Sequence, residues 1–427
     1  MMDKLKRVQP PVFPVENVII PEAKALHLSN GIPVFMIEAG TEDIMRIEFT
    51  FRAGQVKEPL PLVASTCNMM LSEGSHKHTS EELNRLLDFY GIFLNQYAEK
   101  DNAGITLFCL SKHIEKVLEF SHEILFSPAF PEAELEALMK KRLRWYLVNR
   151  EKVQNLAIDN FFESIFGKLH PYGYQINEHD FEKINPAILT DFHSRYYSAV
   201  NMAVIISGKI HPRTEELLNS FYGTGSIAAR EAENNSIEIR SADQKKIHVS
   251  KSGAVQTAIR IGSKTINKRH PDYPGLKVLD SVLGGYFGSR LMKNIREEKG
   301  YTYGISSSLS SLDQSGYKII STEVGQKYYQ QTIDEIYKEI RILQNTAVPE
   351  DEIKVVRNYM SGEIVRMFDG PFALAESFKS VWEFGLDNNY YNSLVKKIKT
   401  IEADEITALA KTYYNLNDLY EVTVGSE

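Results

Sequence analysis

Residues 296–304 read Arg-Glu-Glu-Lys-Gly-Tyr-Thr-Tyr-Gly and hold two side chains able to donate hydrogen bonds to a ligand, Arg296 and Tyr303. A guanidinium keeps its charge near neutral pH, and a phenol donates a hydrogen bond without bringing charge of its own. Leu291, Met292 and Ile295 give the preceding segment a helical apolar stripe, and Gly300 is placed to end that helix in the left-handed conformation. Tyr301, Tyr303 and Ile305 then alternate as a strand does. Taken alone, this pattern describes an ordinary arginine favoured at a helix C-terminus and a core or edge-strand tyrosine.

Other candidates are weaker. His76 and His78 stand beside Thr79 and Glu82, whose spacing forms a capping box; with no third ligand at metal spacing, the two histidines read as a solvated loop. His179, among acidic neighbours, reads as an exposed turn, and the glycines of 284–291 suit a tight turn with close backbone approach. Neither His-Glu-x-x-His nor His-x-x-Glu-His occurs, and a phosphate-binding loop and a Gly-x-Ser-x-Gly elbow are also absent.

The elements that position these residues come in duplicate. Pro131 and Pro349 each open a helix rich in acidic residues, at an offset of 349 − 131 = 218; Ser194–Gly208 and Lys411–Gly425 each pair two tyrosines with a β-branched strand ending in glycine, at 425 − 208 = 217. Tyr-Gly-Ile occurs at Tyr90 and Tyr303, and amphipathic helices follow at Ile114, Val117, Leu118, Leu125 and at Ile333, Ile336, Tyr337, Ile340. The expectation is an α+β fold of two homologous domains, each a mostly antiparallel sheet packed with helices, over residues 18–215 and 236–427, joined by a polar linker at 216–235. Two such units facing across a cleft provide a place for a ligand.

A chain of 427 residues, 43% hydrophobic, suffices for two cores. A net charge of −7 without basic clustering argues against nucleic acid, and no apolar run approaches a membrane span. The N-terminus meets two prolines instead of an apolar signal region, and only Cys67 and Cys109 are present, which leads to an expectation of a soluble cytoplasmic protein.

The duplication, the segment 284–306, Phe51–Pro59 (Phe-Arg-Ala-Gly-Gln-Val-Lys-Glu-Pro) and Phe166–Tyr174 (Phe-Gly-Lys-Leu-His-Pro-Tyr-Gly-Tyr) together resemble the pitrilysin or insulinase-type metallopeptidases, over nearly the whole chain. The resemblance implies a clam shell that admits unfolded peptides, with an Arg-x6-Tyr pair in the second half that binds the substrate backbone and polarises the scissile carbonyl. Arg296 and Tyr303 match that spacing. Fixed donors aimed at a developing oxyanion are worth roughly 3–4 kcal/mol each. The resemblance also implies a substrate-pairing edge strand at Gly91–Asp101, with Asn95 as its polar contact; Asn95 as an ordinary strand residue is the alternative.

The family's zinc motif, His-x-x-Glu-His, falls on Ser65, Thr66, Cys67, Asn68 and Met69, so Ser65 and Met69 replace the histidines and Asn68 replaces the general base. No acidic residue stands between Ala137 and Arg150 to serve as third ligand. The chain is therefore expected to carry no zinc and to be inactive alone. One reading makes it the non-zinc subunit of a peptidase, with the metal in a homologous His-x-x-Glu-His partner. The other makes it a wholly non-catalytic peptide-binding or scaffold relative. The retained Arg-x6-Tyr favours the first.

Overall fold

The computed structural model describes residues 20–224 and 237–426. Two sheets carry the architecture. The first contains β1 (Lys24–His27), β2 (Pro33–Glu38), β3 (Ile44–Phe51), β4 (Phe93–Ala98), β5 (Ala103–Leu110) and β6 (Met202–Gly208), in the order β1-β2-β6-β3-β5-β4. The second contains β7 (Lys246–Ser250), β8 (Gln256–Thr265), β9 (Thr302–Ser311), β10 (Gly316–Gly325) and β11 (Tyr420–Gly425), in the order β7-β11-β8-β10-β9. Apart from the extra β1, the two orders are the same. In each, one pair is parallel (β2 with β6, β7 with β11) and the rest are antiparallel. The mostly antiparallel α+β fold is thus as expected, and the repeat extends to the register of its one parallel pair.

Helices α1 (Val63–Met70), α2 (Ser80–Phe89), α3 (Ile114–Phe126), α4 (Glu132–Asn149), α5 (Val153–Phe166), α6 (Glu178–Glu182), α7 (Pro186–Tyr196) and α8 (Thr214–Tyr222) belong to the first half. The second half has α9 (Tyr273–Asp280), α10 (Tyr329–Asn345), α11 (Glu350–Met367), α12 (Pro371–Trp382), α13 (Asn389–Thr400) and α14 (Ala403–Tyr413). Pro131 and Pro349 are the N-caps of α4 and α11, one position earlier than a first-turn proline, and acids follow each in the first turn, where the helix dipole favours them.

The central strands β6 and β11 are buried along their whole length; β6 is apolar from Met202 to Ile206, whereas β11 buries Glu421 and Thr423 between its apolar residues. A helix of the opposite half covers one face of each. Leu374 and Ala375 of α12 pack on Ile37 and Ile205 of the first sheet. Phe161, Ile165 and Phe166 of α5 pack with Ile319, Tyr420 and Val422 of the second. The halves are interlocked by this exchange, and a buried ion cluster joins them: Lys379 of α12 lies 2.6 Å from Glu48 of β3, which Arg46 also binds at 2.6 Å.

Two local expectations change. Residues 216–222 of the expected linker are helical, and Leu217, Leu218 and Tyr222 belong to the first core; 225–235 of that linker, like residues 18 and 19, lie outside the described residues. The Tyr-Gly-Ile repeat does not mark equivalent places. The left-handed glycines that end the helices are Gly91 (φ +62°) and Gly300 (φ +66°), each two residues before an edge strand, at an offset of 300 − 91 = 209. Tyr90 caps α2, whereas Tyr303 lies inside β9, because it is the glycine that sets the helix-to-strand register.

Edge protection is uneven. β1 and β7 are short and carry lysines, whereas β4 (Phe-Leu-Asn-Gln-Tyr-Ala) and the ten-residue β9 (Thr-Tyr-Gly-Ile-Ser-Ser-Ser-Leu-Ser-Ser) carry no charge. The turns after these two open edges meet: the Asp313 amide donates to Asp101 Oδ2 at 2.9 Å. No helix among the described residues is long and apolar enough to cross a membrane.

Candidate functional site

The segment bearing Arg296 is wound more widely than an α-helix. Met292–Glu298 forms a π-helix, and the Lys299 and Tyr301 amides close it onto the Asn294 and Ile295 carbonyls at 3.1 and 3.0 Å. Such windings are uncommon and recur at functional positions. Buried Leu291, Met292 and Ile295 anchor it, and Asn294 Nδ2 ties it to Glu335 (2.9 Å) and Glu339 (2.6 Å) of α10. Gly284 permits the upstream segment to reach β9, since a Cβ there would stand 2.6 Å from the Ser307 amide nitrogen.

Neighbouring cations are engaged: Arg290 binds Glu352 through two 2.8 Å bonds, and Lys299 lies 3.3 Å from Glu335. Arg296 differs. Among the described residues it has no carboxylate within 4 Å, and its guanidinium lies over the exposed Phe287 ring, 4.5 Å from the centroid. Tyr303 is 93% exposed.

The sequence pattern placed Tyr303 in alternation with Ile305, and here the structure differs. Thr302 pairs with Val324 and Ile305 with Thr322, so Tyr303 and Gly304 together oppose Glu323 in a β-bulge. Thr302 Oγ1 secures it, donating to the Glu323 carbonyl at 2.8 Å and accepting from the Gly304 amide at 3.1 Å. The extra residue breaks the period and turns the ring to solvent while Ile305 stays in the core. Gly304, an isolated glycine inside the strand pattern, is the one signal in the sequence for this bulge.

In the first half, α1 carries the residues aligned with the metal motif. Asn68 points into the core and donates to the Gly104 carbonyl (3.0 Å) and the Tyr197 hydroxyl (3.1 Å). Cys67 is buried among apolar neighbours, its thiol pushed up by desolvation. Ser65 and Met69 take the outer face, with Met69 42% exposed. The side chain that sequence reasoning missed is Arg142 of α4. Its two terminal nitrogens donate to Thr66 Oγ1 (2.5 Å) and Ser65 Oγ (2.8 Å). That arginine was visible in the acid-free stretch 137–150, but nothing in the sequence said which way it faced.

These residues do not fit zinc. A hydroxyl, an amide turned inward and a thioether are poor donors for it, and a fixed guanidinium beside Ser65 repels a second cation. No group of three or more His, Cys, Asp or Glu among the described residues is arranged to hold a metal. Nearby Glu58 accepts from the Ala64 amide (2.8 Å) and from the Tyr174 hydroxyl, and burial raises its carboxyl to about 8 although Arg142 pulls the other way. The segment 166–174 thus proves to be a seam: Tyr174 reaches Glu58, and the Tyr172 hydroxyl donates to Asp101, the residue that meets Asp313 of the second half.

The same internal role recurs in the second half. Asp280, at the end of α9, accepts from Ser307 Oγ (2.5 Å) and lies 3.4 Å from the Tyr414 hydroxyl. Tyr197 and Tyr414 are one offset apart, 414 − 197 = 217, so each half buries a polar side chain of its first long helix against the tyrosine that precedes its last strand. Asn68 is therefore held by packing common to both halves.

Asn95 sits exposed on the open edge strand β4, paired by backbone with Thr106. His78 Nδ1 lies 2.8 Å from the buried Glu123 carboxylate and the Thr79–Glu82 capping box is formed, so His78 serves a loop, whereas His179, exposed as expected, lies in the first turn of α6 rather than in a turn between elements.

Comparison with known proteins accords with this geometry. Residues 34–177 match the family described as Insulinase (Peptidase family M16), and 183–360 match the Peptidase M16 inactive domain. The chain is similar to the uncharacterized zinc protease YmxG of Bacillus subtilis, at 20% identity over 81% of this chain and 84% of that protein. It is also similar to the non-peptidase homolog YmxG of Helicobacter pylori, at 22% identity over 93% and 92%. A crystal structure of a peptidase M16 inactive domain from Pseudomonas fluorescens superposes with a TM-score of 0.82, covering 95% of this chain and 98% of that one at 21% identity. With the repeated sheets, the degenerate motif on α1 and two family matches that together span both halves, this chain belongs to the insulinase family, peptidase family M16, as a member without the family's zinc site.

Proposed function

We propose that this chain is the non-zinc subunit of a heterodimeric peptidase, supplying Arg296 and Tyr303 to a composite active site whose zinc and general base belong to a homologous His-x-x-Glu-His partner. The observation that carries this reading is the state of the pair. A cation with no carboxylate partner and a tyrosine turned out of its strand by a bulge contribute little to folding, and a guanidinium and phenol held on a braced helix end suit an oxyanion. The substrate is an unfolded peptide. Uncharged open edges at β4 and β9, with Asn95 exposed on the first, favour strand addition, in which main-chain bonds give affinity with little sequence preference. The two buried, unpaired cysteines are compatible with the cytoplasm as its compartment.

The test is reconstitution. The purified chain is expected to contain no stoichiometric zinc and to cleave nothing, whereas mixing it with a zinc-bearing homologue yields peptidase activity on an unstructured peptide. Activity in which Arg296→Ala and Tyr303→Phe leave turnover unchanged overturns the composite site and leaves a scaffold.

A further inference from the structure

We propose that the place aligned with the family's metal motif is here a carboxylate-binding site built on Arg142, and that its ligand is the C-terminal carboxylate of a peptide lying along β4. This rests on the peptide-binding reading above and goes beyond it by naming which end of the peptide is held and by what. Arg142 spends two donors on neutral acceptors, Ser65 Oγ at 2.8 Å and Thr66 Oγ1 at 2.5 Å. Among the described residues it makes no ion pair within 4 Å; Glu58, the acid near it, has its oxygens engaged by the Ala64 amide and the Tyr174 hydroxyl. A guanidinium has five N–H donors, so three remain, one of them on Nε.

The two hydroxyls fix the plane of the fork. A half-buried cation held flat without a counter-ion is suited to a carboxylate, which it receives through two parallel bonds. The placement favours a peptide terminus over a free ion. α1 is joined to β4 by Gln96, which donates to the Asn68 carbonyl (2.5 Å) and accepts from Ser72 Oγ (3.0 Å), and β4 is an uncharged edge with its outer backbone groups open. Met69, four residues from Ser65 and so on the same outer face of α1, adds exposed apolar surface there.

The experiment is calorimetric titration of the full chain with one uncharged unstructured peptide, made with a free C-terminal carboxylate and as its C-terminal amide. The free acid is expected to bind about tenfold tighter or more, and Arg142→Gln to abolish that preference. Arg142→Lys, which keeps the charge and loses the fork, retains a reduced preference, so the inference stays testable if the glutamine variant melts early. Equal binding of the two peptides, or a preference that survives Arg142→Gln, overturns the carboxylate site while the β4 reading stands. Binding of neither peptide overturns both.

Discussion

The helix beside β4 in the first half and the helix-to-strand junction before β9 in the second use polar side chains in opposite ways. On α1 the motif's own polar side chains are consumed internally, with only Arg142 of α4 keeping donors free: Asn68 serves Tyr197 and Gly104, and Ser65 and Thr66 accept from Arg142. Before β9, Arg296 and Tyr303 are left with a ring and with solvent. The difference separates side chains that packing explains from side chains that it does not. A buried polar residue with its bonds satisfied explains itself, because leaving it unpaired costs free energy. A half-buried arginine without a carboxylate partner among the described residues and an exposed tyrosine, positioned by a π-helix and a bulge, have no such explanation in folding.

The contrast yields its largest expected effect at the junction. In the reconstituted peptidase, Arg296→Ala or Tyr303→Phe lowers kcat by about 10²-fold or more, while thermal denaturation shows a stability change within about 0.5 kcal/mol. At α1 the pattern inverts. Asn68→Ala removes the buried partner of the Tyr197 hydroxyl and a bond to the Gly104 carbonyl, destabilising by roughly 3 kcal/mol in chemical denaturation, whereas Ser65→His with Asn68→Glu and Met69→His yields no zinc in metal analysis because Arg142 and the inward Asn68 position remain. Recovery of one tightly bound zinc per chain in that triple variant would refute the claim that the site has been rebuilt.

The second half offers a finer measure. Burial raises the Asp280 carboxyl to about 6, against bonds from Ser307 and Tyr414 and the attraction of Lys277, which pull it down. A carboxyl with a raised folded value is penalised when charged, so the penalty is absent below about pH 4, grows through pH 4–6 and is complete above. Asp280→Asn should therefore raise stability by roughly 2–3 kcal/mol at pH 7.5 and by nothing measurable near pH 4, read from denaturant midpoints at the two values. A gain independent of pH would mean that Asp280 is not the titrating group. The smallest effect belongs to Phe287→Ala, which removes the ring under Arg296 and lowers turnover about threefold to fivefold, the size of an exposed cation–π contact.

Much of this molecule was legible in advance. The 217–218 offsets announced the duplication, and the sheets repeat even their single parallel pair, because buried strands and proline-led helices leave periodic marks that do not depend on distant contacts. The Tyr-Gly-Ile match misled by four residues, since what sets a helix-to-strand register is a left-handed glycine and not the letters around it. The expected linker began too early because α8, short and mostly polar, buries only one side of itself.

What the sequence determined by itself was the family, the repeat, the loss of His-x-x-Glu-His and the spacing of Arg296 and Tyr303, all properties of residue order. What only the tertiary structure decided was orientation: that Asn68 faces inward, that Arg142 reaches across from another helix to Ser65 and Thr66, that α5 and α12 exchange partners, and that a bulge turns Tyr303 outward. The physical reason is range. Periodicity and spacing are local, whereas the direction a side chain takes is set by neighbours that residue order places tens or hundreds of positions away.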